Sequence, residues 1–523
     1  MADGLSRRSI LQGLAATAAT VGTVSLSATP ASAAAAAAQP KPKPPGTDWA
    51  AFDAAVRSAF DRMNMVGAAL ALVSAGEVLH TTTLGSRMLA PRRPVTTTTR
   101  FDSGSTGKSM TAAFVATYVD DGTLAWDQPV VDAWSGFRAP TDELTRTLRV
   151  RDLIGMASGL GEPPSTSSHF GGVTAAQLLQ SVVNLPVVDS HVDKTFFYNN
   201  TMYALGGYLP LLATGVAPAD LGAARSHAIH ERLFTPAGMP GVILGSDPRG
   251  LSDDYAAGHQ FDLRARAGAI PYAPFGAYGP AGAGYVNIED MAAWVRLQLR
   301  QGVSVNGRRV VSAANLAECW KPHVPASLLP PELDPDAVSV GYAMGWIREE
   351  YKGGSSLVWH NGAFDGFTAF VGFLPQHDLG LTVLNNMTAG PAGIWFYTYV
   401  LNLVLSERFG LNVGVPDKVL ATEASALDDL RTLGSKAKPV SFSVVAPYLG
   451  YYEGGYSLVR EGRDVVLNNS SRAVPLQVMP DGSYVMSEGF MVGAAVKLAR
   501  EADGTPHIEI VGIETVRRTT GLG

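Results

Sequence analysis

Cysteine is nearly absent from this chain, and charged residues are few. The single cysteine, Cys319, excludes an intrachain disulfide, a zinc site built from several thiolates and an iron–sulfur cluster. Charged residues make up only 16% of the 523 positions, the formal net charge is -6, and neither sign forms a long block. Because such a chain offers no electrostatic surface for nucleic acid, we expect a small molecule or a short peptide as its partner and no nucleic acid.

Hydrophobic residues make up 46% of the chain, which is enough apolar surface for a globular protein. A length of 523 residues exceeds one ordinary hydrophobic core and predicts more than one domain. Cys319 lies between Glu318 and Trp320, where we interpret it as a small buried residue on a helix and not as a catalytic thiol.

The amino-terminal 47 residues carry an export pattern. Arg7-Arg8 precedes a weakly apolar, alanine-rich run, and small residues ending in Ala31-Ser32-Ala33 follow. This order is typical of a twin-arginine signal, and the weak hydrophobicity argues against a permanent membrane span. We expect a signal peptide over 1–33, an Ala/Pro-rich linker over 34–47, and a secreted or periplasmic protein with no integral membrane span after signal cleavage.

Helical and strand patterns alternate between residues 48 and 415. Apolar residues recur at helical spacing near both ends, and short apolar runs bounded by turn residues form two hairpins. This predicts an α+β domain over 48–415, with an antiparallel sheet built from both ends of the domain and terminal helices packed together on one face. The expected elements are a helix over 49–63, strands over 68–73, 78–84, 367–374 and 379–384, and a helix over 394–405.

The pattern changes beyond residue 415. A polar stretch predicts a connector over 416–439, and short strand candidates separated by turn residues follow over 440–523. We therefore expect a small β-barrel or sandwich at the carboxyl end. The strand candidates are 456–459, 465–467, 476–479, 484–486, 496–498 and 508–511.

The first motif that carries chemistry is Ser105-Thr106-Gly107-Lys108, which opens an apolar helix pattern over 109–119. A residue three positions after Ser105 projects onto the same helix face, so the Lys108 amine can reach the serine hydroxyl. Burial lowers the pKa of such an amine, and the neutral form can accept the proton of a nucleophilic serine. The alternative is that Ser105 caps the helix and Lys108 is exposed.

Other matches to short catalytic motifs are interpreted structurally. Ser435-Lys436-Ala437-Lys438 has the same spacing, but it lies in the polar connector before a proline and does not open a buried helix. Tyr285-Val286-Asn287 precedes two acidic residues, so Asn287 reads as the cap of a helix over 291–299. His169-Phe170-Gly171 lies in a Ser- and Gly-rich loop.

The second motif is Tyr198-Asn199-Asn200, which follows two phenylalanines and precedes the apolar stretch 202–212. A buried tyrosine phenol near a lysine can relay a proton to a leaving group. The amide of Asn200 can hold both Lys108 and a substrate carbonyl. The alternative is that Asn200 caps the helix that follows.

The third motif is His360-Asn361-Gly362, directly after the strand-like run 356–359. A strand edge beside the nucleophile can offer a backbone N–H to a developing oxyanion, and glycine allows close approach of the substrate. His360 can orient a carbonyl or add polarity, and the alternative is an isolated structural histidine.

In this order the three motifs resemble those of the serine β-lactamase and penicillin-binding protein superfamily, in particular its class C-like branch of esterases and D-amino-acid peptidases. The resemblance extends from about Val66 to Asn386. It implies an α/β sandwich with flanking helices and a helical lobe, and no cofactor or metal. The carboxy-terminal strands are similar to the small β-barrel appended to some D-aminopeptidase-like members.

The resemblance also implies roles for single residues. The serine and lysine of the family's first motif correspond to Ser105 and Lys108, and the tyrosine and asparagine of its second to Tyr198 and Asn200. The third motif corresponds to His360 and Gly362. The oxyanion donors implied are the backbone N–H groups of Ser105 and of a residue near Ala363.

Two positions depart from the family pattern. The third motif is His-Asn-Gly where β-lactamases and many carboxypeptidases have Lys-Thr-Gly, which argues against efficient antibiotic hydrolysis. Family members often carry a histidine before the Ser-Gly-Leu that corresponds to Ser158-Gly159-Leu160, whereas this chain has Met156-Ala157. We expect no catalytic role at that position.

The leading hypothesis is an exported serine hydrolase that cleaves an ester or amide bond, including D-amino-acid peptide bonds, through an acyl-Ser105 intermediate. The alternatives are a D-Ala-D-Ala carboxypeptidase or β-lactamase, a non-hydrolytic penicillin-binding-type sensor, and a protein whose function lies in ligand binding by the carboxy-terminal strands. Turnover, as opposed to labelling of the serine, separates the enzyme from the sensor.

Overall fold

The computed structural model describes most of the chain from residue 48 to residue 519. The expected signal peptide over 1–33, the linker over 34–47 and the His169-Phe170-Gly171 segment lie outside the described residues. These are 48–162, 172–189, 195–245, 247–273, 275–282, 284–326, 336–388, 393–410, 416–453, 456–469, 472–489, 491–511 and 514–519.

The larger of the two cores is built on an antiparallel sheet of nine strands in the order β3-β2-β1-β13-β12-β11-β10-β9-β8. Strands from opposite ends of the expected domain are neighbours in this sheet, where Ala69 of β1 pairs with Leu384 of β13. The expectation of a sheet built from both ends is confirmed. The strands in chain order are β1 Gly67–Val73, β2 Val78–Leu89, β3 Arg92–Pro94, β4 Phe101–Asp102, β5 His259–Phe261, β6 Ala267–Ala269, β7 Tyr285–Val286, β8 Val324–Pro325, β9 Ala337–Tyr342, β10 Ile347–Tyr351, β11 Ser356–Phe364, β12 Phe367–Leu374 and β13 Leu379–Asn385.

Helices cover both faces of this sheet. Successive strand residues point to opposite faces, so Phe370 and Phe373 of β12 mark the two sides. Phe370 stacks on Tyr397, and Phe373 packs edge-on against Trp320. The helices are α1 Trp49–Arg62, α2 Gly107–Asp120, α3 Val130–Ala133, α4 Asp142–Thr147, α5 Val150–Ile154, α6 Ala175–Ser181, α7 Asn200–Ala213, α8 Leu221–Ile229, α9 Thr235–Ala237, α10 Ile288–Leu299, α11 Ala313–Cys319, α12 Gly393–Phe409, α13 Pro416–Lys436 and α14 Phe442–Val445.

The terminal helices pack together, as expected, on the Tyr397 face. Phe60 of α1 and Phe396 of α12 form an edge-to-face pair with ring centroids 5.9 Å apart. Cys319 is buried at the end of α11, which confirms its interpretation as a small core residue.

The segment interpreted as a polar connector over 416–439 is largely helical. Helix α13 buries Leu420, Leu427 and Leu430 in the same core as the sheet. These leucines recur at helical spacing among charged residues, so the polar composition concealed an amphipathic helix. Ser435 lies in the last turn of α13 and donates to the Thr432 carbonyl, so this second S-x-x-K match does not begin a helix.

The carboxy-terminal strands form a second antiparallel sheet with its own core. All six strand candidates are confirmed, and the bridge between Tyr452 and Arg518 joins the beginning of the strand order to its end. This curled sheet agrees with the expected small barrel-like fold. Its strands are β14 Lys438–Pro439, β15 Gly450–Tyr451, β16 Tyr456–Glu461, β17 Asp464–Asn469, β18 Arg472–Val478, β19 Tyr484–Met486, β20 Ala495–Arg500, β21 Pro506–Ile510 and β22 Glu514–Arg517.

The turn between β9 and β10 packs directly on helices α2 and α7. Gly345 in this turn has a φ of +70°, and an added Cβ would overlap the Tyr203 hydroxyl and lie 2.7 Å from the Lys108 carbonyl oxygen. The Tyr203 hydroxyl donates to that same carbonyl at 2.7 Å. The turn therefore restricts the backbone of Lys108 at its carbonyl group.

We predict that Gly345→Ala destabilises the protein by about 3 kcal/mol, because backbone strain and overpacking add. Gly122→Ala is the matched control, since Gly122 has a φ of +79° with nothing within 4 Å of an added Cβ. It should cost about 1 kcal/mol from the backbone alone. Calorimetric melting temperatures compare the two variants, and equal losses would show that packing against Tyr203 contributes nothing.

Candidate active site

Ser105 lies in a 3₁₀ turn, Gly104–Thr106, that leads directly into helix α2. The turn is anchored from inside the protein, because the Asp102 carboxylate accepts a hydrogen bond from the Gly104 backbone nitrogen at 2.7 Å. Burial raises the pKa of Asp102 to about 8. The cap position of α2 belongs to Thr106, with no side-chain capping bond, so the alternative in which Ser105 caps the helix is not what the structure shows.

The Lys108 amine is buried beside the serine hydroxyl. Its Nζ donates to Ser105 Oγ at 3.0 Å, to Asn200 Oδ1 at 2.8 Å and to the Ala281 carbonyl oxygen at 2.5 Å. The side chain is fully buried, which contradicts the alternative in which Lys108 is exposed. Three acceptors therefore hold the amine in one position, one turn of helix from Ser105.

Burial lowers the pKa of Lys108 to about 7, and the negative charge of Glu162 opposes part of that effect. An ammonium without its hydration is costly, so the neutral amine becomes accessible near neutral pH. A lysine in this state can accept a proton from a neighbouring hydroxyl.

The Tyr198-Asn199-Asn200 motif stands at the start of helix α7. Asn199 is the helix cap, because its side chain accepts from the Met202 backbone nitrogen at 2.8 Å. Asn200 is the first helical residue, so the alternative that Asn200 is the cap is wrong by one position. With capping assigned to Asn199, the Asn200 amide is directed to Lys108.

The Tyr198 ring lies over the amine, with its centroid 4.7 Å from Lys108 Nζ. Burial raises the pKa of the Tyr198 phenol, and a hydrogen bond with Ser105 offsets only part of this rise. The phenol therefore keeps its proton at neutral pH and can donate it to a neighbouring group.

The His360-Asn361-Gly362 motif lies within strand β11 and not after it. Strand β10 pairs with β11 over 356–359, while β12 pairs over 358–364. Beyond residue 359 the other edge of β11 lies against the turn that carries Ser105, because a Cβ on Gly362 would overlap the Ser103 carbonyl oxygen and lie 3.0 Å from the Ser105 nitrogen. Glycine is required here by this close approach.

The expected oxyanion donors lie on the two sides of this contact. A Cβ built on Gly104 would be 2.6 Å from the Ala363 backbone nitrogen, so Ala363 is adjacent to the turn that carries Ser105. The structure thus brings the backbone of Ser105 and Ala363 together. Their role as donors stays a prediction.

His360 is buried, and both ring nitrogens have partners. Nδ1 lies 2.5 Å from the Asn361 carbonyl oxygen, and Nε2 lies 3.2 Å from the Tyr342 hydroxyl. The carbonyl can only accept, so the ring proton is assigned to Nδ1, and Nε2 accepts from Tyr342. Burial, with the nearby Lys108, lowers the pKa of His360 to about 3, so the imidazole is neutral at physiological pH.

Glu162 is the site residue that sequence reasoning missed. Its carboxylate accepts hydrogen bonds from Asn200 and Thr201 at the start of α7, and burial raises its pKa. It follows Ser158-Gly159-Leu160 in the sequence, and no catalytic spacing marks it. Only the fold brings this loop to α7.

The other candidates have structural explanations. Asn287 caps helix α10, which begins three residues earlier than expected, by accepting from the Asp290 backbone nitrogen at 2.8 Å. Among the described residues, no group of three or more His, Cys, Asp or Glu side chains is placed to hold a metal ion. In the same part of the chain, none of the helices combines the length and apolarity needed to cross a membrane.

Comparison with curated proteins shows three informative similarities. The chain is 26% identical to an unguisins hydrolase from Aspergillus campestris over 64% of its own length and 61% of that protein. It is 27% identical to penicillin-binding protein 4 from Amycolatopsis lactamdurans, covering 74% of this chain and 93% of that one. It is 24% identical to a D-aminopeptidase from Cereibacter sphaeroides, covering 83% and 80% respectively. The chain thus spans less than two thirds of the fungal hydrolase.

Solved structures with the same fold include the octameric penicillin-binding protein homologue from Pyrococcus abyssi, with a TM-score of 0.58, 19% identity, and coverage of 90% of this chain and 100% of that one. SurE is similar, with a TM-score of 0.56, 20% identity, and coverage of 90% and 98%. The family model described as Beta-lactamase matches residues 52–394. The chain therefore belongs to the β-lactamase family.

Proposed function

We propose that the protein is an exported hydrolase that cleaves an ester or amide bond, including D-amino-acid peptide bonds, through an acyl-Ser105 intermediate. The observation that carries this proposal is the 3.0 Å hydrogen bond from the buried Lys108 amine to the Ser105 hydroxyl. Export rests on the sequence pattern over 1–33, and fractionation of cells that express the full chain tests it.

In the acylation step, Ser105 Oγ bonds to the substrate carbonyl carbon while its proton passes to Lys108 Nζ. The backbone N–H groups of Ser105 and Ala363 donate to the oxyanion that forms. The carbon–leaving group bond then breaks, the Tyr198 phenol supplies the proton that the leaving group needs, and Lys108 returns a proton to Tyr198.

In the deacylation step, water attacks the acyl carbon and the bond to Ser105 Oγ breaks. One proton of the water passes to the amine and phenol pair and returns to Ser105 Oγ. The products are a carboxylic acid and the alcohol or amine that left first, and the enzyme is regenerated.

The substrate class is supported by the neutral state of His360 and by the relatives. A Lys-Thr-Gly strand places a cation where a substrate carboxylate can bind, whereas a neutral imidazole is a weak anion partner. Two relatives are described as an unguisins hydrolase and a D-aminopeptidase. The first description names a hydrolase and the second a peptidase, which agrees with hydrolysis of an amide bond by this chain.

We predict that Ser105→Ala abolishes turnover and leaves the fold intact, because the hydroxyl is the attacking group and alanine is tolerated near a helix start. Hydrolysis of p-nitrophenyl esters and D-amino-acid amides is measured beside circular dichroism. Near-native activity in the variant would refute the nucleophile assignment. A stoichiometric burst in the wild-type protein with no later turnover would instead indicate a non-hydrolytic sensor.

We predict that acylation speeds up as pH rises through about 7, because the active form of Lys108 is the neutral amine. The rate should fall tenfold for each pH unit below that value and reach a plateau above it. Lys108→Ala should lose the rising limb and reduce the rate by about 10³-fold. Pre-steady-state kinetics from pH 5 to pH 9 measure this limb. A limb that persists in the variant would show that another group is the base.

We predict that kcat/KM is higher for short acyl esters or D-amino-acid amides than for a cephalosporin. The reason is that His360 is a neutral imidazole where the Lys-Thr-Gly motif has a lysine cation. A β-lactam carboxylate therefore lacks that cationic partner on strand β11. Steady-state kinetics on all three substrate classes at one pH decide it. A cephalosporin that exceeds every ester and amide in kcat/KM would contradict the prediction.

A further inference from the structure

The Glu162 carboxylate accepts four hydrogen bonds where helix α7 begins. One oxygen accepts from the Asn200 backbone nitrogen at 2.7 Å and from Asn200 Nδ2 at 3.0 Å. The other accepts from the backbone nitrogen and the hydroxyl of Thr201, each at 3.0 Å. A carboxylate at the amino end of a helix is stabilised by the helix dipole, which accounts for two of these bonds but not for the bond to the Asn200 side chain.

That side-chain bond fixes which way the Asn200 amide faces. An amide has one accepting end and one donating end. Because Nδ2 donates to Glu162, the oxygen is turned towards Lys108 and accepts from Nζ at 2.8 Å. The opposite orientation would place N–H groups against N–H groups, so the amide would no longer hold the amine beside Ser105.

Glu162 also supplies the charge that faces the buried amine. The Tyr198 and Tyr203 rings lie 4.7 and 5.5 Å from Lys108 Nζ and are neutral phenols, and His360 is a neutral imidazole. The negative charge of Glu162 raises the pKa of Lys108, against the larger effect of burial. Position and proton affinity of the amine thus depend on the same carboxylate.

We propose that Glu162 is a positioning residue for acylation, which acts through Asn200 to aim an amide oxygen at Lys108 and hold the amine on the Ser105 hydroxyl. This inference rests on the proposed function. Its test uses a fluorophosphonate probe, so no natural substrate is needed. Ser105 Oγ bonds to phosphorus, fluoride leaves, and the serine proton passes to Lys108.

In Glu162→Gln, the NH2 end of the new amide faces either the two donors of Asn200 or the two donors of Thr201, because each oxygen of the Glu162 carboxylate accepts from one of these residues. We expect the second-order labelling rate of the full chain to fall about 10²-fold, as for a displaced reacting group. The rising limb of the pH–rate profile should move to lower pH, because the charge that raises the pKa of Lys108 is removed. A helix cap that acts only on stability would not move this limb.

Two further variants separate positioning from stability. Thr201→Val removes one bond to Glu162 and leaves the Asn200 bonds in place, so it should lower the melting temperature and keep labelling within about twofold of wild type. Asn200→Ala removes the amide through which Glu162 acts. When Asn200→Ala is already present, adding Glu162→Gln should reduce labelling at high pH by less than about threefold. The effects of the two substitutions are not additive, because Glu162 acts on Lys108 through Asn200.

Unchanged labelling and an unmoved limb in a folded Glu162→Gln protein would overturn the proposal, and so would full additivity with Asn200→Ala. If Glu162→Gln does not fold, the pair Glu162→Gln and Asn200→Asp restores the charge and lets the new amide donate to a carboxylate. Labelling at least tenfold above Asn200→Asp alone supports the proposal, and no recovery overturns it. Undiminished labelling of Ser105→Ala would instead refute the proposed function.

Discussion

An ammonium group taken out of water loses hydration worth several kcal/mol, and the Lys108 amine is fully buried. Hydrogen bonds within the site replace part of the lost hydration. Ser105, Asn200 and the Ala281 carbonyl give the amine three acceptors, and its pKa falls to about 7. Burial destabilises the charged form of Lys108, and for the same reason its amine can accept a proton at neutral pH.

The groups around the Lys108 amine include a neutral imidazole, His360, and a carboxylate, Glu162. His360 on strand β11 is neutral because burial and the nearby Lys108 lower its pKa to about 3. The carboxylate of Glu162 is connected to the amine through Asn200, because it accepts hydrogen bonds from the backbone nitrogen and the side-chain amide of Asn200 at the start of helix α7. Under the proposed function, this division of charge favours a substrate that presents a carbonyl to be attacked over one that must be held by its carboxylate.

Close packing of three segments sets the positions of Ser105 and Lys108. The Ser105 turn lies against β11 where β10 no longer pairs with it, and the β9–β10 turn supports the Lys108 backbone. Side chains larger than hydrogen do not fit at Gly362 or Gly345. Since packed interiors deform little, such contacts restrict the movement of the Ser105 turn and of the Lys108 backbone.

The sequence by itself determined the local features of this protein. Helical spacing of apolar residues and turn residues located strands β1, β2, β12 and β13 and the terminal helices, and the three-residue step from Ser105 to Lys108 follows from helix geometry. The Tyr198 and His360 motifs were also visible as short polar segments beside apolar runs. These signals depend on neighbours in the chain, so periodicity reveals them.

Tertiary structure alone decided the rest, because the partners are distant in sequence. The charged residues of α13 led us to expect a polar connector, and only the burial of its leucines in the core of the sheet shows that it is an amphipathic helix. The cap lies at Asn199 and not at Asn200 because helix α7 begins at Asn200, and the neutral state of His360 depends on burial. Glu162 reaches Asn200 from 38 positions away, and no spacing rule connects a loop residue to the start of a helix that only the fold brings into hydrogen-bonding distance.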